Sequence, residues 1–566
     1  METLIKEVSI KQIQGLGLYS PLSNSIVKTS GIVTGVLRNG FFIQTPNIDW
    51  DGKTSDAVFV YSTAAKVNLR EYIEVVGKVV DYLKHDAAKP FIQIHLDDLQ
   101  ILSNVDASGK EFIVNKIELT QEFLTSDRNA LADLLNSINS MLVKIAAGQT
   151  FIAPSNPFGD YVLALDSQQV DSTLIRSKDG GVILDKNNVL QWHPGFRMQN
   201  YNHAPCLNVG AKLLSEVSGP LNYRADSYQI LQSDTIQVSN SHIDLDKSKF
   251  QASSGSITIM TLNCFNLDPH IESESLVINP RQDIDDDWGE GRFHTLAQAI
   301  VLFANSPDII ALQEIQDNDG AEISETVDAT QTYTLLCQAV EELCGIKYKW
   351  VDINPVLNAD GGQPGGNIRN AYLYNPDRIN LIEDSVSIIG LNEACFVDSR
   401  KPLLAYFEER TSGKVIACIN LHLVSKRRQK SIFSPVDPGV DEKLQTRIDQ
   451  AKIVHGVTKE LYNENILYYV TGDFNDTEYS QTLNTILGHY SRNLVETLPI
   501  NERYDYNHRG NLQVLMHGIV SKQMSNNHVA YEIIHGNELI GVKPGETSDK
   551  PSDHAYVIAK LNLNTV

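Results

Sequence analysis

The sequence predicts a multidomain α+β protein, with a β-rich N-terminal part and a C-terminal part in which strands alternate with helices. Three observations carry this prediction. Apolar and polar residues alternate at period two from residue 7 to residue 103, a Ser-rich polar segment follows at 239–256, and short apolar runs then alternate with amphipathic stretches. A single hydrophobic core does not organise 566 residues, so we expect roughly three to four structural units.

Residues 1–105 are predicted to form a small β-barrel or sandwich. The runs Gly31–Leu37 and Phe41–Gln44 flank Asn39-Gly40, and Asn-Gly is a strong signal for a tight hairpin turn. Tyr72–Val80 and Phe91–Leu96 show the alternation of further strands. Several short strands in close succession are typical of such a barrel.

Residues 106–240 are predicted to form a second β-rich domain with one helix, and residues 241–256 a linker. Apolar residues recur at helical spacing within Arg128–Ile138. Tyr161–Leu165 and Ser227–Leu231 have the apolar character of strands. The polar residues that follow indicate a connection rather than a packed element.

Residues 257–566 form the predicted C-terminal unit. Ile257–Leu262 and Val415–Leu421 are short apolar runs suited to buried strands. Arg292–Ala304 and Leu444–Leu461 carry apolar residues at helical spacing between such runs. This alternation predicts an α/β arrangement with a covered sheet.

The net charge of −23 and the pI of about 5.0 argue against a protein that passively coats a polyanion. An enzyme tolerates this charge, because a local basic patch and a bound cation reverse the field at its site. The six cysteines show no C-x-x-C spacing and are interpreted as buried free thiols.

The first residues, Met1–Glu7, have neither the basic nor the apolar region of a secretory leader. No apolar run approaches the roughly 20 residues that span a bilayer. We therefore expect a cytoplasmic protein without membrane contact, or a secreted one if a leader has been removed. The sequence indicates no obligate protein partner.

Polar residues stand at the ends of the predicted C-terminal strands, where sheet folds place ligand sites. The residues concerned are Asn263, Glu314, His422, Asp473, Asn475, Asp553 and His554. Carboxylates are hard ligands suited to Mg²⁺ or Mn²⁺, whereas histidines and amides donate to a phosphate. Phosphodiester hydrolysis needs such groups to neutralise charge, activate water and protonate the leaving oxygen. The joint pattern predicts a metal-dependent phosphodiesterase.

These positions resemble the motifs of the endonuclease/exonuclease/phosphatase superfamily, which includes deoxyribonucleases, abasic-site endonucleases, sphingomyelinases and inositol-polyphosphate phosphatases. The matching strings occur in the family's order: Thr261–Leu267, Ile310–Gly320, Gly365–Tyr374, Asn420–His422, Gly472–Asn475 and Ser552–His554. The resemblance implies an α/β sandwich of two β-sheets flanked by helices. It is greatest to large bacterial nucleases, often secreted, in which Gly31–Gln44 resembles an oligonucleotide-binding-type (OB-like) barrel ahead of the catalytic domain.

The resemblance also implies a metal and water site. Glu314 binds Mg²⁺ or Mn²⁺, and Asp553 lies in the metal shell. Asn263 contacts the metal or the phosphate. Asp473 orients or deprotonates the attacking water, and Asn475 holds that water or the scissile phosphate.

The remaining implied roles concern the phosphate. His422 and Arg369 bind its oxygens, and His554 is the general acid/base or the donor to the transition state. The family usually has an acid that polarises this histidine at the position of Met516. Methionine cannot replace that acid, so Asp505, Asp549 or His517 must take the role, or His554 is less effective.

A basic run follows His422 directly and consists of Lys426, Arg427, Arg428 and, after Gln429, Lys430. Beside a phosphate site in an acidic protein, we interpret it as a patch that grips a nucleic-acid backbone. The leading hypothesis is an endonuclease for DNA or RNA. The open alternatives are a phosphatase or phosphodiesterase of lipid or inositol phosphates, and a catalytically impaired nucleic-acid-binding protein.

Overall fold

A computed structural model describes residues 5–84, 87–105, 109–125, 127–165, 175–184, 190–427, 429–524, 528–546 and 550–564. It confirms the α+β class, because the described chain forms several sheets and has few helices. Among these helices none combines the length and the apolar character that a membrane span requires.

Five N-terminal strands close into a barrel. The elements are β1 (Lys6–Glu7), α1 (Ile10–Gln14), β2 (Ile26–Leu37), β3 (Gly40–Gln44), β4 (Ala57–Tyr61), β5 (Tyr72–Tyr82) and β6 (Phe91–Leu102). The strand order is β2-β3-β4-β6-β5, and β5 pairs back onto β2, whereas β1 adds to β2 from outside. The predicted turn lies between β2 and β3. It requires glycine, because a Cβ on Gly40 would stand 2.2 Å from the Val60 carbonyl oxygen.

A nine-stranded sheet follows. The elements are β7 (Ile117–Glu118), α2 (Arg128–Ser137), β8 (Leu142–Ile145), β9 (Thr150–Phe151), β10 (Asp160–Ala164), β11 (Val182–Ile183), β12 (Gly195–Met198), β13 (Lys212–Leu213), β14 (Val217–Arg224), β15 (Ser227–Gln232) and β16 (Val238–Ser239). All of these strands except β11 belong to the sheet, in the order β16-β13-β9-β10-β12-β15-β14-β8-β7. The predicted helix is α2, and the Asp127 carboxylate caps it by accepting the Ala130 N–H at 2.8 Å.

Two six-stranded sheets and the separate hairpin β26–β27 form the C-terminal part. The strands are β17 (Ser256–Leu267), β18 (Ile309–Ile315), β19 (Lys349–Val351), β20 (Arg369–Tyr374), β21 (Ile379–Ile388), β22 (Leu403–Glu409), β23 (Lys414–His422), β24 (Tyr468–Asp473), β25 (Ser491–Asn493), β26 (Tyr506–His508), β27 (Asn511–Gln513), β28 (Met516–Ser521), β29 (Val529–Ile534) and β30 (Tyr556–Asn562). The first sheet has the order β19-β20-β18-β17-β30-β29 and the second β21-β22-β23-β24-β28-β25.

The helices are α3 (Pro280–Asp283), α4 (Arg292–Gln298), α5 (Thr330–Cys344), α6 (Leu444–Asn463) and α7 (Gln481–Leu487). A π-helical turn, Ala299–Phe303, continues α4. Short 3₁₀ turns occur at Tyr201–His203, Ala394–Phe396, Leu494–Thr497, Ile500–Glu502 and Asn537–Leu539.

Period-two alternation explains how the two sheets are layered. In β17, Ile257 and Ile259 face the core between the sheets, whereas Met260 and Leu262 face the core under α4 and α5. In the second sheet, Ile419 contributes in the same way to the core under α6 and α7. Because successive side chains of a strand point to opposite faces, both sheets are covered on both sides.

The segment predicted as a linker has no regular element from residue 240 to 255, yet it is packed. Its Asp246 N–H donates to the His535 carbonyl oxygen at 3.0 Å. The Ser248 hydroxyl bonds to Glu532, and Phe250 packs against the core under α4 and α5.

A third small sheet joins the second domain to the sandwich. The hairpin β26–β27 receives β11 as a parallel third strand, with Val182 opposite Asn511. The Leu184 N–H donates to the Leu512 carbonyl oxygen at 2.9 Å. The Asn507 side chain donates to the Ile152 carbonyl oxygen at 3.0 Å.

A buried lysine connects the barrel to the second domain. Lys89 is 3% exposed and comes from the turn between β5 and β6. Its Nζ donates to Asn136 Oδ1 at 3.0 Å and to the Tyr228 hydroxyl, and it lies 4.6 Å from the ring centre of Tyr223. Burial lowers the pKa of Lys89 from 10.5 to about 7.

We predict that Lys89→Met reduces the pH dependence of folding stability. Between pH 7 and 10.5 the unfolded chain binds a proton at Lys89 that the folded chain does not, so this residue makes the free energy of unfolding rise with pH. The slope is about 1.4 kcal/mol per pH unit for one proton. Urea unfolding at several pH values measures it. The exposed Lys84→Met is the control, and equal slopes in both variants would contradict the prediction.

Candidate active site

Four strand ends meet at one edge of the sandwich. Strands β17 and β18 run parallel in the first sheet, and β23 and β24 run parallel in the second. Asn263 lies where the pairing of β17 with β18 shifts register, and its side chain donates to Glu314 Oε1 near the end of β18 at 3.1 Å. His422 Nε2 lies 3.8 Å from Glu314 Oε1 and 3.6 Å from Asp473 Oδ2. The structure thus brings these four predicted residues together.

The backbone is unusual at these strand ends. Glu314 has φ of +55°, and Asn475 has φ of +51°, values that non-glycine residues rarely adopt. Glu314 lies where the pairing of β18 with β20 shifts register. Such strained conformations cluster at functional sites. Gly472 has φ of +131°, and a Cβ there would stand 1.9 Å from the Leu421 carbonyl oxygen, so glycine is required next to Asp473.

Asp473 is a buried carboxylate with a raised pKa. Its Oδ1 accepts the Asn475 N–H at 2.8 Å, and the Asn475 side chain donates to the Leu423 carbonyl oxygen at 3.0 Å. Burial raises the pKa of Asp473 to about 7, although the nearby His554 counteracts this. Burial, together with Arg400, lowers the pKa of His422 well below its usual range, so its ring is neutral at neutral pH.

The partner of His554 is Asp505. His554 Nδ1 donates to Asp505 Oδ1 at 2.9 Å, and its Nε2 lies 3.9 Å from Asp473 Oδ2. Burial alone would lower the pKa of His554, but the carboxylates of Asp553, Asp505 and Asp473 raise it to about 10. The ring of Tyr506 stacks on the imidazole with 4.9 Å between ring centres.

Met516 does not contact His554 through its side chain, because that side chain packs in the core between the sheets. Its backbone N–H donates to Asp505 Oδ2 at 2.9 Å, so the Met516 backbone helps to hold the Asp505 carboxylate in place. His517 is also engaged elsewhere: its Nε2 bonds to the Asp476 carbonyl oxygen at 2.9 Å. Asp549 lies outside the described residues. Of the three acid or histidine candidates, the structure places Asp505 on His554.

Arg369 lies outside the set of side chains that line the site. It is 2% exposed, and its Nη1 donates to Asn354 Oδ1 at 2.8 Å and lies 3.4 Å from Asp352 Oδ2. Arg400, which the sequence analysis missed, faces the site instead. Burial lowers the pKa of Arg400, whereas the charges of Glu314 and Asp473 raise it. No motif marks Arg400 in the sequence; only its place ahead of β22 brings it there.

A cavity of about 950 Å³ lies over these strand ends. Glu314, His422, Asp473, Asn475, Asp553 and His554 line it on the side of the sandwich. Part of the basic run lies at the same cavity: Lys426, Arg427 and Lys430 line it, and Arg428 lies outside the described residues. Lys426 Nζ also pairs with Asp476 Oδ1 at 2.9 Å, so this lysine has a structural bond as well.

The donor set fits a divalent cation. The Glu314 carboxylate accepts from the Asn263 amide, and burial and the charge of Asp553 both raise the pKa of Glu314. Carboxylates that repel each other at a cavity wall are stabilised by a hard cation. Glu314 and Asp553 line the cavity and offer the carboxylate oxygens that Mg²⁺ and Mn²⁺ prefer. The Asn263 Oδ1 accepts the Phe265 N–H at 2.8 Å, so Asn263 contributes to this site mainly through its hydrogen bond to Glu314.

A second group of carboxylates could also hold a metal ion. Asp268, Asp285 and Asp287 offer ligand oxygens within 4.8 Å of one another. The pKa of Asp268 is raised to about 9 by burial and by the charge of Glu272. None of these three residues is among the metal ligands predicted from the sequence, which were Glu314 and Asp553.

Comparisons with known proteins match different parts of the chain. The family model described as a domain of unknown function (DUF8508) matches residues 103–241. A search of curated protein sequences gave no match.

Solved structures of the endonuclease/exonuclease/phosphatase fold match about half of the chain. A humanized D. rerio TDP2 is 16% identical, with 55% of this chain and 100% of that chain covered and a TM-score of 0.36. An endonuclease/exonuclease/phosphatase from Bacteroides vulgatus is 17% identical, with coverage of 55% and 99% and a TM-score of 0.35. The human Nocturnin catalytic domain is 14% identical, with coverage of 54% and 94% and a TM-score of 0.35.

We predict that Asp505→Asn lowers the pKa of His554 from its value of about 10. The neutral amide no longer stabilises the imidazolium, and the expected fall is at least about one pKa unit. An NMR pH titration of protein with isotope-labelled histidine, in EDTA, measures the pKa of His554. The control is Met516→Leu, which conserves volume in the core. A fall of the same size in the control would show that Asp505 does not act on His554 as the hydrogen bond indicates.

Proposed function

We propose that this protein is a divalent-metal-dependent phosphodiesterase that cleaves nucleic acid by attack of water. One observation carries the proposal: the Asp473 carboxylate lies 3.9 Å from His554 Nε2 in a cavity that cationic side chains also line. A base and an acid of separated pKa are the two groups that water attack and leaving-group departure need.

Three side chains of the cavity act as base, acid and charge-stabilising cation in this proposal. Asp473 takes the proton of the attacking water, and the Asn475 N–H on its Oδ1 fixes the direction of the carboxylate. As the bond from phosphorus to the leaving oxygen breaks, His554 donates its Nε2 proton to that oxygen, while Asp505 holds the ring through Nδ1. Arg400 lies in the same wall and stabilises that charge.

Glu314 and Asp553 would hold Mg²⁺ or Mn²⁺ in the same cavity. The cation neutralises phosphate charge when bound. Glu314 is placed for this by its left-handed backbone, and Asn263 orients its carboxylate through their hydrogen bond at 3.1 Å.

Nucleic acid is the substrate class that the cationic side chains favour. Arg427, Lys430 and Arg509 line the cavity although the whole chain carries a net charge of −23. Repeated phosphates gain from several cations, whereas one phosphate needs only the site itself. Five N-terminal strands close into a barrel, and we propose that this barrel is of the oligonucleotide-binding type and guides the nucleic-acid strand.

We predict that Glu314→Gln and Asp473→Asn each reduce kcat on DNA, RNA or a chromogenic phosphodiester roughly 10²- to 10⁴-fold. EDTA should abolish turnover, and Mg²⁺ or Mn²⁺ should restore it. The exposed Glu325→Gln is the matched control. Parent-like turnover in either site variant, with an unchanged circular dichroism spectrum, would refute the assigned site. Turnover on an inositol phosphate alone would favour the phosphatase alternative.

We predict that Arg427→Gln weakens binding of single-stranded polynucleotide and reduces the slope of log affinity against log salt by about 0.7, because one fewer counterion is released. Turnover of a small chromogenic diester should stay within about twofold, since Arg427 is exposed. Fluorescence anisotropy at several salt concentrations measures the slope. Arg410→Gln removes an equal charge at the far end of β23 and is the control. A parent-like slope for Arg427→Gln would show that this residue does not contact the backbone.

A further inference from the structure

Two adjacent side chains of the second domain line the same cavity as Asp473 and His554: Trp192 and His193. The ring nitrogens Trp192 Nε1 and His193 Nε2 are buried and have no hydrogen-bond partner among the described residues. A buried polar atom without a partner is costly, and a native protein retains one where a ligand or water completes it.

The segment that carries these two rings is held firmly in place. The Gln191 N–H donates to Asn511 Oδ1 at 3.0 Å, and the Asn511 amide donates back to the Gln191 carbonyl oxygen at 2.9 Å. The ring of Trp192 packs edge-on against Phe433 with 6.2 Å between ring centres. The two unpartnered nitrogens therefore belong to an ordered wall.

The same contacts relate this wall to the catalytic histidine. Asn511 pairs with His508 across the hairpin, and Tyr506 lies two residues further along that strand. Tyr506 stacks on the His554 ring. The Trp192–His193 wall is thus joined to the hairpin that covers His554.

The cationic side chains at the cavity all lie on one side of it. The cations that line it come from the sandwich: Arg400, Lys426, Arg427, Lys430, Arg509 and Lys550. The charged lining residues of the described second domain are Asp160 and Asp226. Glu314, Asp473 and Asp553 line the sandwich side beside these cations, whereas the wall from the second domain offers a phosphate no cation among its described residues. Burial lowers the pKa of His193 to about 4, so its ring is neutral and suits an uncharged ligand group.

We propose that Trp192 and His193 form a nucleobase subsite, which takes the base beside the scissile phosphate. This rests on the proposed function and names the part of the substrate that the second domain recognises. An uncharged heterocycle matches both features of the wall: its edge accepts from the Trp192 N–H and bonds to the His193 ring, and its faces suit the aromatic surroundings.

The kinetic test compares two diesters with the full chain. Thymidine 5′-(p-nitrophenyl phosphate) carries a base, whereas methyl p-nitrophenyl phosphate does not. Trp192→Phe keeps a ring and removes the N–H. It should lower kcat/KM on the nucleoside diester about 3- to 10-fold, the effect of one lost hydrogen bond. His193→Ala should act likewise. Both variants should leave the methyl diester within about twofold of the parent.

Trp350→Phe is the matched control, because Trp350 stacks on Tyr333 away from the cavity lining. Equal losses on both diesters, or none on either, would overturn the subsite.

A binding experiment distinguishes failure of the subsite from failure of the proposed function. If the parent hydrolyses neither diester, titration calorimetry in EDTA compares thymidine 5′-monophosphate with ribose 5-phosphate. Tighter binding of the nucleotide, lost in Trp192→Phe, supports the subsite, and equal binding overturns it.

Discussion

The carboxylate of Asp505 joins three parts of the molecule that apolar packing alone would leave unaligned. Its Oδ2 accepts the N–H groups of Leu515 and Met516 at the start of β28, and its Oδ1 accepts from His554 just ahead of β30. Strand β28 belongs to the second sheet and β30 to the first. The core between the sheets sets their spacing, but the hydrophobic effect has no direction. A buried carboxylate with three donors supplies that direction, and it brings His554 of one sheet to Asp473 of the other.

The same edge concentrates charges that water would otherwise separate. Burial raises the pKa of both Glu314 and Asp473, because it disfavours the charged form of each carboxylate. His554 and Arg400 offset part of this tendency from within the chain. A divalent cation would offset the rest of the cost of holding these carboxylates charged. Its two positive charges would act at short range inside a protein of net charge −23. Long-range repulsion of an anionic substrate and short-range attraction at the site can therefore coexist.

Sequence reasoning identified the residues at strand ends because period-two burial and local motifs place them. Asn263, Glu314, His422 and Asp473 follow apolar runs directly, and the structure brings them together. The sequence alone could not identify Arg400, nor could it choose Asp505 over Asp549 and His517. The positions of Arg400 and Asp505 at the site arise from contacts between segments that are distant in the chain. Asp505 and His554 are 49 residues apart in the chain, and the acid approaches from a hairpin instead of from the Met516 position. Arg369 is the opposite case. The string Gly365–Tyr374 marked it as a phosphate-binding residue, but its guanidinium pairs with Asp352 and does not line the cavity.

The second domain lines the cavity and also supports the hairpin that follows Asp505. Asp505 immediately precedes the hairpin β26–β27, whose strands have only three residues each. A two-stranded hairpin of this size is marginally stable in water. Here β11 adds a third strand, and Ile183 of β11 packs with Tyr504 and Leu512 in a buried cluster. Because Tyr504 neighbours Asp505, the ordering of the acid depends on a strand more than 300 residues earlier in the chain. The second domain therefore supports this hairpin directly: β11, which precedes the Trp192–His193 wall in the chain, packs beside the segment that carries Asp505, the hydrogen-bond partner of His554.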